Sequence, residues 1–375
     1  MKEAFIKIGI IGSGWITCKA HLPALQLNGH AKVTALYDLN TEIALKVASE
    51  FQISTVHVSL EDLLHSDIDA VIISTPNDTH ADYSIRALKA GKHVLCEKPV
   101  ALNTEEMDKV IKVAKLSNKI YLPAFVNRFR PDTRQLFDII SNGEIGAITS
   151  IEAGWIRRNG VPRPGTWFTS KKRSGGGVLI DLGSHIVDIA LMLVKGATIR
   201  KVEAHRWKEA DDLKAASWFG KSDDDLLQDV EESVVSQIQI EEDKEILISL
   251  SWNAPVPNDY TYFFVKGTKG EVRLKTLFGF SNHKLWEEGT LSIKKAGMTE
   301  KVIKEEGGYA EMAFGEMINY FIHQIRTEER DQFLTPQDGL QVVQMIEDMY
   351  DDTNQNPDLR SYAKRWKEMK RKHFI

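Results

Sequence analysis

The chain has 375 residues, of which 42% are hydrophobic and 27% charged, and its formal net charge is −5. This length exceeds one ordinary hydrophobic core, so we expect two domains of a soluble, cytoplasmic globular protein. The negative charge argues against general nucleic-acid binding, and no apolar run reaches the roughly 20 residues that span a bilayer. The N-terminal residues lack a signal-peptide layout. Cys18 and Cys96 indicate neither a disulfide framework nor a metal site.

The first predicted strand, Ile6 to Ile11, runs into a glycine-rich turn and then a helix. The turn reads Gly12-Ser13-Gly14-Trp15-Ile16-Thr17, which is one glycine short of the full dinucleotide-binding pattern. Gly12 allows a tight turn, and Gly14 lets the backbone approach a pyrophosphate at the helix N-terminus. Because Thr17 replaces the third glycine, we expect the helix to pack farther from the strand. The predicted cofactor contacts here are Gly12, Gly14, Trp15 and Ile16.

The second strand, Lys32 to Tyr37, ends in Asp38, which lies 24 residues after Gly14. This is near the spacing of the acid that hydrogen-bonds the adenosine ribose. No arginine follows to receive a 2′-phosphate, and a carboxylate would repel one. The sequence therefore favours NAD over NADP. The structural alternative for Asp38 is a helix N-cap or a turn residue.

Strands and helices go on alternating as far as Phe125, which is typical of a doubly wound parallel sheet. A fourth strand near 69–75 and a fifth, His93 to Cys96, each end in polar residues. Ligands bind at the carboxyl edge of such a sheet. We therefore predict cofactor contacts there from Ser74, Thr75, Pro76, Asn77, His80, Glu97 and Lys98. His80 has packing or capping as its structural alternative, and we expect the Lys98–Pro99 peptide bond to be cis.

From about Ala147 the predicted strands become longer and alternating, with few helices between them. This pattern favours a large, mostly antiparallel, open sheet in an α+β domain. We place the first domain at residues 1–125 and the second at 126–375. The acidic segment 209–231 and the basic tail from Asp358 are interpreted as solvated surface. The predicted strands are 148–157, 199–207, 232–240, 245–252, 260–266, 271–275 and 291–295, with helices at 312–327 and 336–351.

Three glycines, Gly175 to Gly177, precede a helical stretch with Asp181 and His185. Glycines allow the backbone to approach a bound molecule closely. Residues four apart share one face of an α-helix, and a neighbouring carboxylate orients an imidazole and raises its pKa. The alternative is an early-turn acid followed by a core histidine.

A basic stretch separates these halves, with six Arg and Lys residues between Arg157 and Arg173. It is typical of a solvated loop, and it also suits an anionic substrate such as a sugar phosphate or nucleotide sugar. Arg158 is the candidate from this stretch. Trp167 has the alternatives of stacking on a sugar and anchoring a core.

Taken together, these motifs resemble the glucose–fructose oxidoreductase, inositol dehydrogenase and rhizopine-catabolism (Gfo/Idh/MocA) family. The resemblance rests on Gly12-Ser13-Gly14, Thr75-Pro76-Asn77 with His80, Glu97-Lys98-Pro99, Arg128-Phe129 with Pro131, and Gly175 to Asp188. It implies a Rossmann domain, a second α/β domain whose open sheet forms dimers or tetramers, and NAD(P)-dependent chemistry on sugars or cyclitols. It also implies catalytic roles for Lys98, Asp181 and His185, a cofactor contact from Asn127 and a substrate contact from Arg128.

The leading hypothesis is an NAD-dependent dehydrogenase acting on a ring carbinol. Its alternatives are an NADPH-dependent keto-sugar reductase and a non-catalytic dinucleotide sensor. An imidazole suits removal of the hydroxyl proton, and a lysine cation suits polarisation of the oxygen. The residue types leave open whether Lys98 or His185 accepts the proton.

Overall fold

The structure is a computed structural model that describes residues 5–162, 165–208, 229–241, 243–305 and 309–352, together with residues 359 and 361. Arg163, most of the acidic segment and most of the basic tail lie outside these ranges. The chain divides into two compact units. The first comprises Met1–Phe129 with Glu311–Val343, and the second Arg130–Ala310 with Gln344–Ile375. The division at 125/126 expected from sequence did not include the return of 311–343 to the first unit.

The strands follow the predicted ones closely, except for β14, which the sequence did not suggest. They are β1 Ile6–Ile11, β2 Ala31–Tyr37, β3 Thr55–His57, β4 Ala70–Ile73, β5 His93–Cys96, β6 Tyr121–Pro123, β7 Ile148–Ile156, β8 Ile199–Trp207, β9 Ser233–Ile240, β10 Lys244–Ser251, β11 Tyr260–Gly267, β12 Gly270–Thr276, β13 Gly289–Lys295 and β14 Lys301–Glu305.

The helices include two that were not predicted, α6 and the short α7. They are α1 Leu22–Gln26, α2 Thr41–Phe51, α3 Leu60–His65, α4 His80–Lys89, α5 Thr104–Ser117, α6 Pro131–Ser141, α7 Lys171–Ser174, α8 Ser184–Leu193, α9 Tyr309–Thr327 and α10 Pro336–Asp351. Side-chain caps define several starts, because Asn40, Ser59 and Asn103 accept backbone N–H groups of α2, α3 and α5. A proline at the first position begins α6.

The first unit contains a six-stranded parallel sheet with the order β3-β2-β1-β4-β5-β6. This is the Rossmann order. The register sets Ile11 beside Ile73, and Ile73 beside Cys96. The three strands therefore end level, and the residues that follow them share one edge. This arrangement confirms the predicted doubly wound parallel sheet.

The second unit contains an eight-stranded sheet with the order β14-β13-β12-β11-β7-β10-β9-β8. Only the pairing of β7 with β10 is parallel among these described strands, so the predicted mostly antiparallel sheet is confirmed. Helix α8 packs on β7 and β10, where Gly183 fits closely against Leu250. The segment Lys171–Leu193 is long and apolar enough to cross a membrane, but 83% of its apolar 18-residue window is buried within the protein, as in an ordinary core helix.

His93, at the start of β5, is a half-buried histidine. Burial, together with the Lys119 cation, lowers its pKa to about 4. Its Nδ1 atom accepts the N–H of Ile120 at 3.0 Å, which a protonated Nδ1 cannot do. Its folded-state pKa is therefore below the value of about 6.5 expected in the unfolded chain.

This difference makes stability depend on pH. Protons bind the unfolded chain first, so the contribution of His93 is present above about pH 6.5 and is lost as the pH falls towards 4. We expect His93→Asn, which keeps an acceptor but cannot titrate, to lose less melting temperature between pH 7 and pH 4 than the wild type does. His65→Asn, at an exposed position, serves as the control. Equal acid sensitivity of His93→Asn and the wild type would contradict this assignment.

Candidate active site

The glycine turn after β1 has the conformation that a dinucleotide site needs. Gly12 has a φ of +101°, and a Cβ there would lie 2.7 Å from the carbonyl oxygen of Ser74. Only glycine fits such a position. A Cβ at Gly14 would meet nothing within 4 Å, so the space beside it is open. Trp15 is 46% exposed and Ile16 is half-buried. These features suit a pyrophosphate at the start of the helix.

Asp38 is tied to this turn through its carboxylate. One oxygen accepts the N–H of Ser13 at 2.7 Å, and the other accepts that of Asn40 at 2.8 Å. The N-cap of α2 is Asn40, whose side chain accepts the N–H of Ile43. Asp38 therefore does not cap α2, but its bond to the N–H two residues on makes it a turn residue, as the other part of the structural alternative had it. Its contact with a ribose at the end of β2 stays a prediction.

Thr17 replaces the third glycine through specific hydrogen bonds. Its fully buried hydroxyl donates to the carbonyl oxygen of Gly12 at 2.8 Å and lies 2.6 Å from the Ser74 hydroxyl. Thr17 also begins a π-helical turn, Thr17–His21, ahead of α1. The side chain thus joins the ends of β1 and β4 at this position.

The polar residues after β4 form a compact turn. Thr75 and Thr79 hydroxyls lie 2.6 Å apart, and Thr79 donates to the carbonyl oxygen of Pro76 at 2.7 Å. Asn77 is buried in the short turn that precedes α4. Asn127 is buried in a corresponding turn after β6.

The turn that carries Lys98 is held through Glu97. The buried Glu97 carboxylate accepts from His21 Nε2 at 2.8 Å and from the Lys98 N–H at 3.1 Å. His21 is fully buried, and its Nδ1 has no hydrogen-bond partner among the residues that the structure describes. The proton therefore lies on Nε2. The Lys98–Pro99 bond is cis, which confirms the prediction. Glu97, expected to contact the cofactor, instead fixes this turn.

His80 lies between two backbone carbonyls. Its Nδ1 is 2.7 Å from the Pro99 oxygen, and its Nε2 is 2.8 Å from the Thr75 oxygen. Burial lowers its pKa, while the two carbonyls and Glu97 oppose that shift. Both ring nitrogens are thus occupied by the chain itself, so the packing alternative describes His80 better than the predicted cofactor contact.

Arg128 also has a structural position. Its guanidinium is 1% exposed, donates to the Phe333 carbonyl at 2.7 Å, and pairs with Asp338 at 3.3 Å. Asp338 in turn accepts from Thr335 at the start of α10. We therefore assign Arg128 to holding 311–343 on the first unit, in place of the substrate contact that the resemblance implied.

Asp181 and His185 lie in the second unit, on the helical segment that packs on its sheet. Residues Leu179–Gly183 form a π-helical turn, and α8 begins at Ser184. The expected single α-helical turn between the two residues is therefore wrong in detail. Turns of this kind recur at functional sites. The Asp181 carboxylate accepts from Trp252 Nε1 at 3.0 Å.

Aromatic and charged groups surround this pair. The His185 ring centre is 5.7 Å from that of Trp155, whose Nε1 has no hydrogen-bond partner among the described residues. The Arg157 guanidinium lies 5.0 Å from the same indole ring. Burial lowers the pKa of Arg157, and the Asp181 and Asp259 carboxylates oppose that shift. The second unit thus gathers donors and one acid around His185.

Two of the three glycines, Gly176 and Gly177, lie close to another part of the protein, while the predicted approach to a bound molecule stays a prediction. A Cβ at Gly176 would lie 1.8 Å from the Tyr350 hydroxyl, and one at Gly177 would lie 2.0 Å from the Glu231 carbonyl oxygen. The Glu231 carboxylate accepts the N–H groups of Gly177 and Leu179, each at 3.0 Å, and the Tyr350 hydroxyl at 2.8 Å. Glu231 therefore fixes the start of the segment that carries Asp181.

The remaining candidates lie in the loop after β7 and beyond it. Trp167 stacks on Phe168 with ring centres 3.8 Å apart. Arg158 is exposed, and its side chain donates to the Pro257 carbonyl at 3.2 Å. Lys171, Lys172 and Arg173 are exposed as well, as expected of a solvated loop.

Comparison with known proteins identifies the family. Residues 6–125 match the model of an oxidoreductase family with an NAD-binding Rossmann fold, and residues 133–273 match the GFO/IDH/MocA C-terminal domain. The chain belongs to the Gfo/Idh/MocA oxidoreductase family. The predicted resemblance is thereby confirmed.

Two curated members of this family have related sequences. D-glucoside 3-dehydrogenase of Escherichia coli is 31% identical over 64% of this chain and 68% of its own length. Glucose-6-phosphate 3-dehydrogenase of Bacillus subtilis is 30% identical over 72% and 74%. Among solved structures, a mutant of KijD10, a 3-ketoreductase from Actinomadura kijaniata in complex with TDP-benzene and NADP, has a TM-score of 0.75 and 23% identity, covering 92% and 96% of the chains. That structural likeness supports the fold.

Sequence reasoning missed the supports of this site. From distant parts of the chain, His21 bonds Glu97 and Trp252 bonds Asp181. Glu231 bonds the N–H of Gly177, and Tyr350 in turn bonds Glu231. Of these contacts, only those at Gly175 to Gly177 had a signal in the sequence. Three glycines indicate that another group lies close to the backbone, but not which group it is.

We expect Gly177→Ala to displace the segment that carries Asp181 and His185. A methyl group 2.0 Å from a backbone oxygen forces a shift that costs about 1–3 kcal/mol. A displacement of 1 Å in catalytic groups lowers turnover by up to about 100-fold. We predict a lower melting temperature and at least a tenfold lower kcat, measured by thermal denaturation and steady-state kinetics.

The matched control is Gly315→Ala, which places a methyl group in open space within α9. Alanine is favoured there by up to about 1 kcal/mol, so stability should rise and kcat stay unchanged. Wild-type turnover in Gly177→Ala would show that the close approach at Gly177 does not position the catalytic segment.

Proposed function

We propose that this oxidoreductase transfers hydride between a nicotinamide and carbon 3 of a hexopyranose, interconverting the 3-hydroxyl and 3-keto sugars. The observation that carries the proposal is the retained set of Lys98, Asp181 and His185, each on a fixed structural element. Relatives named as 3-dehydrogenases, and a neighbour named as a 3-ketoreductase, support the choice of carbon.

The residue types suit loss of hydride from a secondary carbinol. The carbon gives its hydrogen and electron pair to the nicotinamide, which supplies the acceptor, and the hydroxyl proton passes to the His185 imidazole. An imidazole is matched to proton transfer near neutral pH. The Lys98 cation stabilises the developing alkoxide, and Asp181, held by Trp252, orients the sugar. The reverse sequence reduces a keto sugar, so the reductase alternative uses the same groups.

Charge around the second-unit residues supports a substrate recognised through its hydroxyl groups. Arg157 has the Asp181 and Asp259 carboxylates as counter-charges. The indole N–H of Trp155 is a buried donor beside the His185 ring. Donors and carboxylates of this kind match sugar hydroxyls, which both donate and accept.

Deuterium transfer tests the carbon directly. Methyl glucosides and glucose 6-phosphate labelled at carbon 2, 3 or 4 are incubated with the enzyme and oxidised cofactor. We expect only the 3-deuterated sugars to deliver deuterium to the nicotinamide ring, read by mass spectrometry, because hydride leaves the carbon that becomes the ketone. Transfer from carbon 2 or 4, or no transfer from any label, would refute the proposal.

We further propose NAD as the cofactor. The Asp38 carboxylate is fixed by two backbone N–H groups at the end of β2, where a 2′-phosphate of NADP would meet its negative charge. Leu39 and Asn40 follow and add no cation. Solved structures of this fold contain NAD in one case and NADP in another, so the proposal of NAD rests on the charge at this position.

Kinetics with both cofactors test this choice. We expect kcat/KM with NAD to exceed that with NADP by at least tenfold, about 1.4 kcal/mol. Asp38→Ser should lower the ratio of kcat/KM with NAD to kcat/KM with NADP by a similar factor, because it removes the repulsion between the carboxylate and the 2′-phosphate. Asp67→Ser changes an exposed carboxylate that pairs with Lys7 and should leave the ratio unaltered. A wild-type preference for NADP would overturn the proposal.

A further inference from the structure

The imidazole of His80 contacts two turns at the sheet edge, one after β4 and one after β5. Both turns carry predicted cofactor contacts. His80, the first residue of α4, contacts the Thr75 oxygen with Nε2 and the Pro99 oxygen with Nδ1. Thr75 follows β4, and Pro99 follows Lys98 after β5. The two contacts of His80 therefore run from the turn after β4 to the turn after β5.

The chemistry of the imidazole makes this bridge demanding. Both partners are carbonyl oxygens, which only accept, and a neutral imidazole has one proton to donate. Burial lowers the pKa of His80 and so favours the neutral ring, while Glu97 favours the protonated ring and Lys98 opposes it. We assign the proton to Nδ1, whose oxygen partner is the nearer of the two at 2.7 Å. His80 is 1% exposed, and a buried polar group without its partner costs about 1–3 kcal/mol. The Nδ1 bond therefore holds the Pro99 carbonyl against the start of α4.

Lys98 is consequently held from both neighbours in sequence. On one side Glu97 is bonded by His21 and accepts the Lys98 N–H. On the other side Pro99 has no N–H to donate, and its carbonyl is bonded by His80. The backbone of Lys98 thus lies between two residues that are each held by a buried histidine.

We propose that His80 is a positioning residue, which sets Lys98 relative to the Thr75 turn through its Nδ1 bond to Pro99. This role rests on one part of the proposed function, namely that Lys98 is a catalytic group. Displacement of such a group by about 1 Å costs up to about 100-fold in rate, which is the scale of effect expected here.

Two amide substitutions separate the two bonds. The amide nitrogen of Asn replaces His Nδ1, whereas that of Gln replaces His Nε2. His80→Asn therefore keeps the donor to Pro99, and His80→Gln instead places a donor at the Thr75 oxygen. We expect kcat of His80→Asn within about threefold of the wild type and that of His80→Gln at least tenfold lower. His65→Asn is the control, since the exposed His65 also bonds a carbonyl through Nδ1.

The Lys98→Ala background shows whether His80 acts through Lys98. We expect His80→Gln to cause no further loss there, because effects on one catalytic group are not additive. A purely structural histidine would lower the rate equally in both backgrounds. Equal kcat values for His80→Asn and His80→Gln, whether both normal or both impaired, would overturn the proposal.

A second measurement does not depend on turnover of a sugar. Its outcome is therefore independent of the proposed substrate. Lys98 is acylated by an amine reagent with and without NADH, and its modification rate is followed by peptide mass spectrometry. We expect NADH to protect Lys98 in the wild type and in His80→Asn, with protection reduced at least threefold in His80→Gln. Identical protection in the two variants contradicts the positioning role, even if the sugar assignment stands.

Discussion

Two carboxylates, buried Glu97 in the first unit and half-buried Glu231 in the second, hold the backbone that carries the candidate catalytic residues. A carboxylate removed from water needs hydrogen-bond donors on its oxygens, or its charge is costly. Glu97 obtains them from His21 and the Lys98 N–H. Glu231 obtains them from Tyr350, Gly177 and Leu179. In both units the requirement of the acid for partners fixes the catalytic segment.

The local part of this arrangement could be read from the sequence. An apolar run, His93 to Cys96, followed by an acid, a lysine and a proline predicts a buried strand and a turn at its carboxyl end, and the structure has both. Helix α6 had its own signal, a proline at its first residue and apolar residues at helical spacing, although no element was predicted for residues 131–141. Patterns of period two or 3.6 are local properties, so they survive without knowledge of the fold.

The supports could not be predicted in the same way. His21 lies 76 residues before Glu97, and Tyr350 lies 119 residues after Glu231. No periodicity links such residues, because the contact exists only once the sheet and its helices are assembled. Arg128 shows the converse error. The resemblance implied that Arg128 contacts the substrate. In the structure its buried guanidinium donates to the carbonyl of Phe333 and to the carboxylate of Asp338.

Thr17 shows how a departure from a motif can be absorbed by the fold. The third glycine of the dinucleotide pattern normally allows close packing of helix on strand. A threonine at this position adds bulk, yet its hydroxyl bonds the Gly12 carbonyl and meets the Ser74 hydroxyl, while the helix begins as a wider π turn. The same π turn ends at His21, which bonds the Glu97 carboxylate, and that carboxylate also accepts the Lys98 N–H. A substitution in the cofactor turn thus belongs to the set of contacts that hold the catalytic lysine.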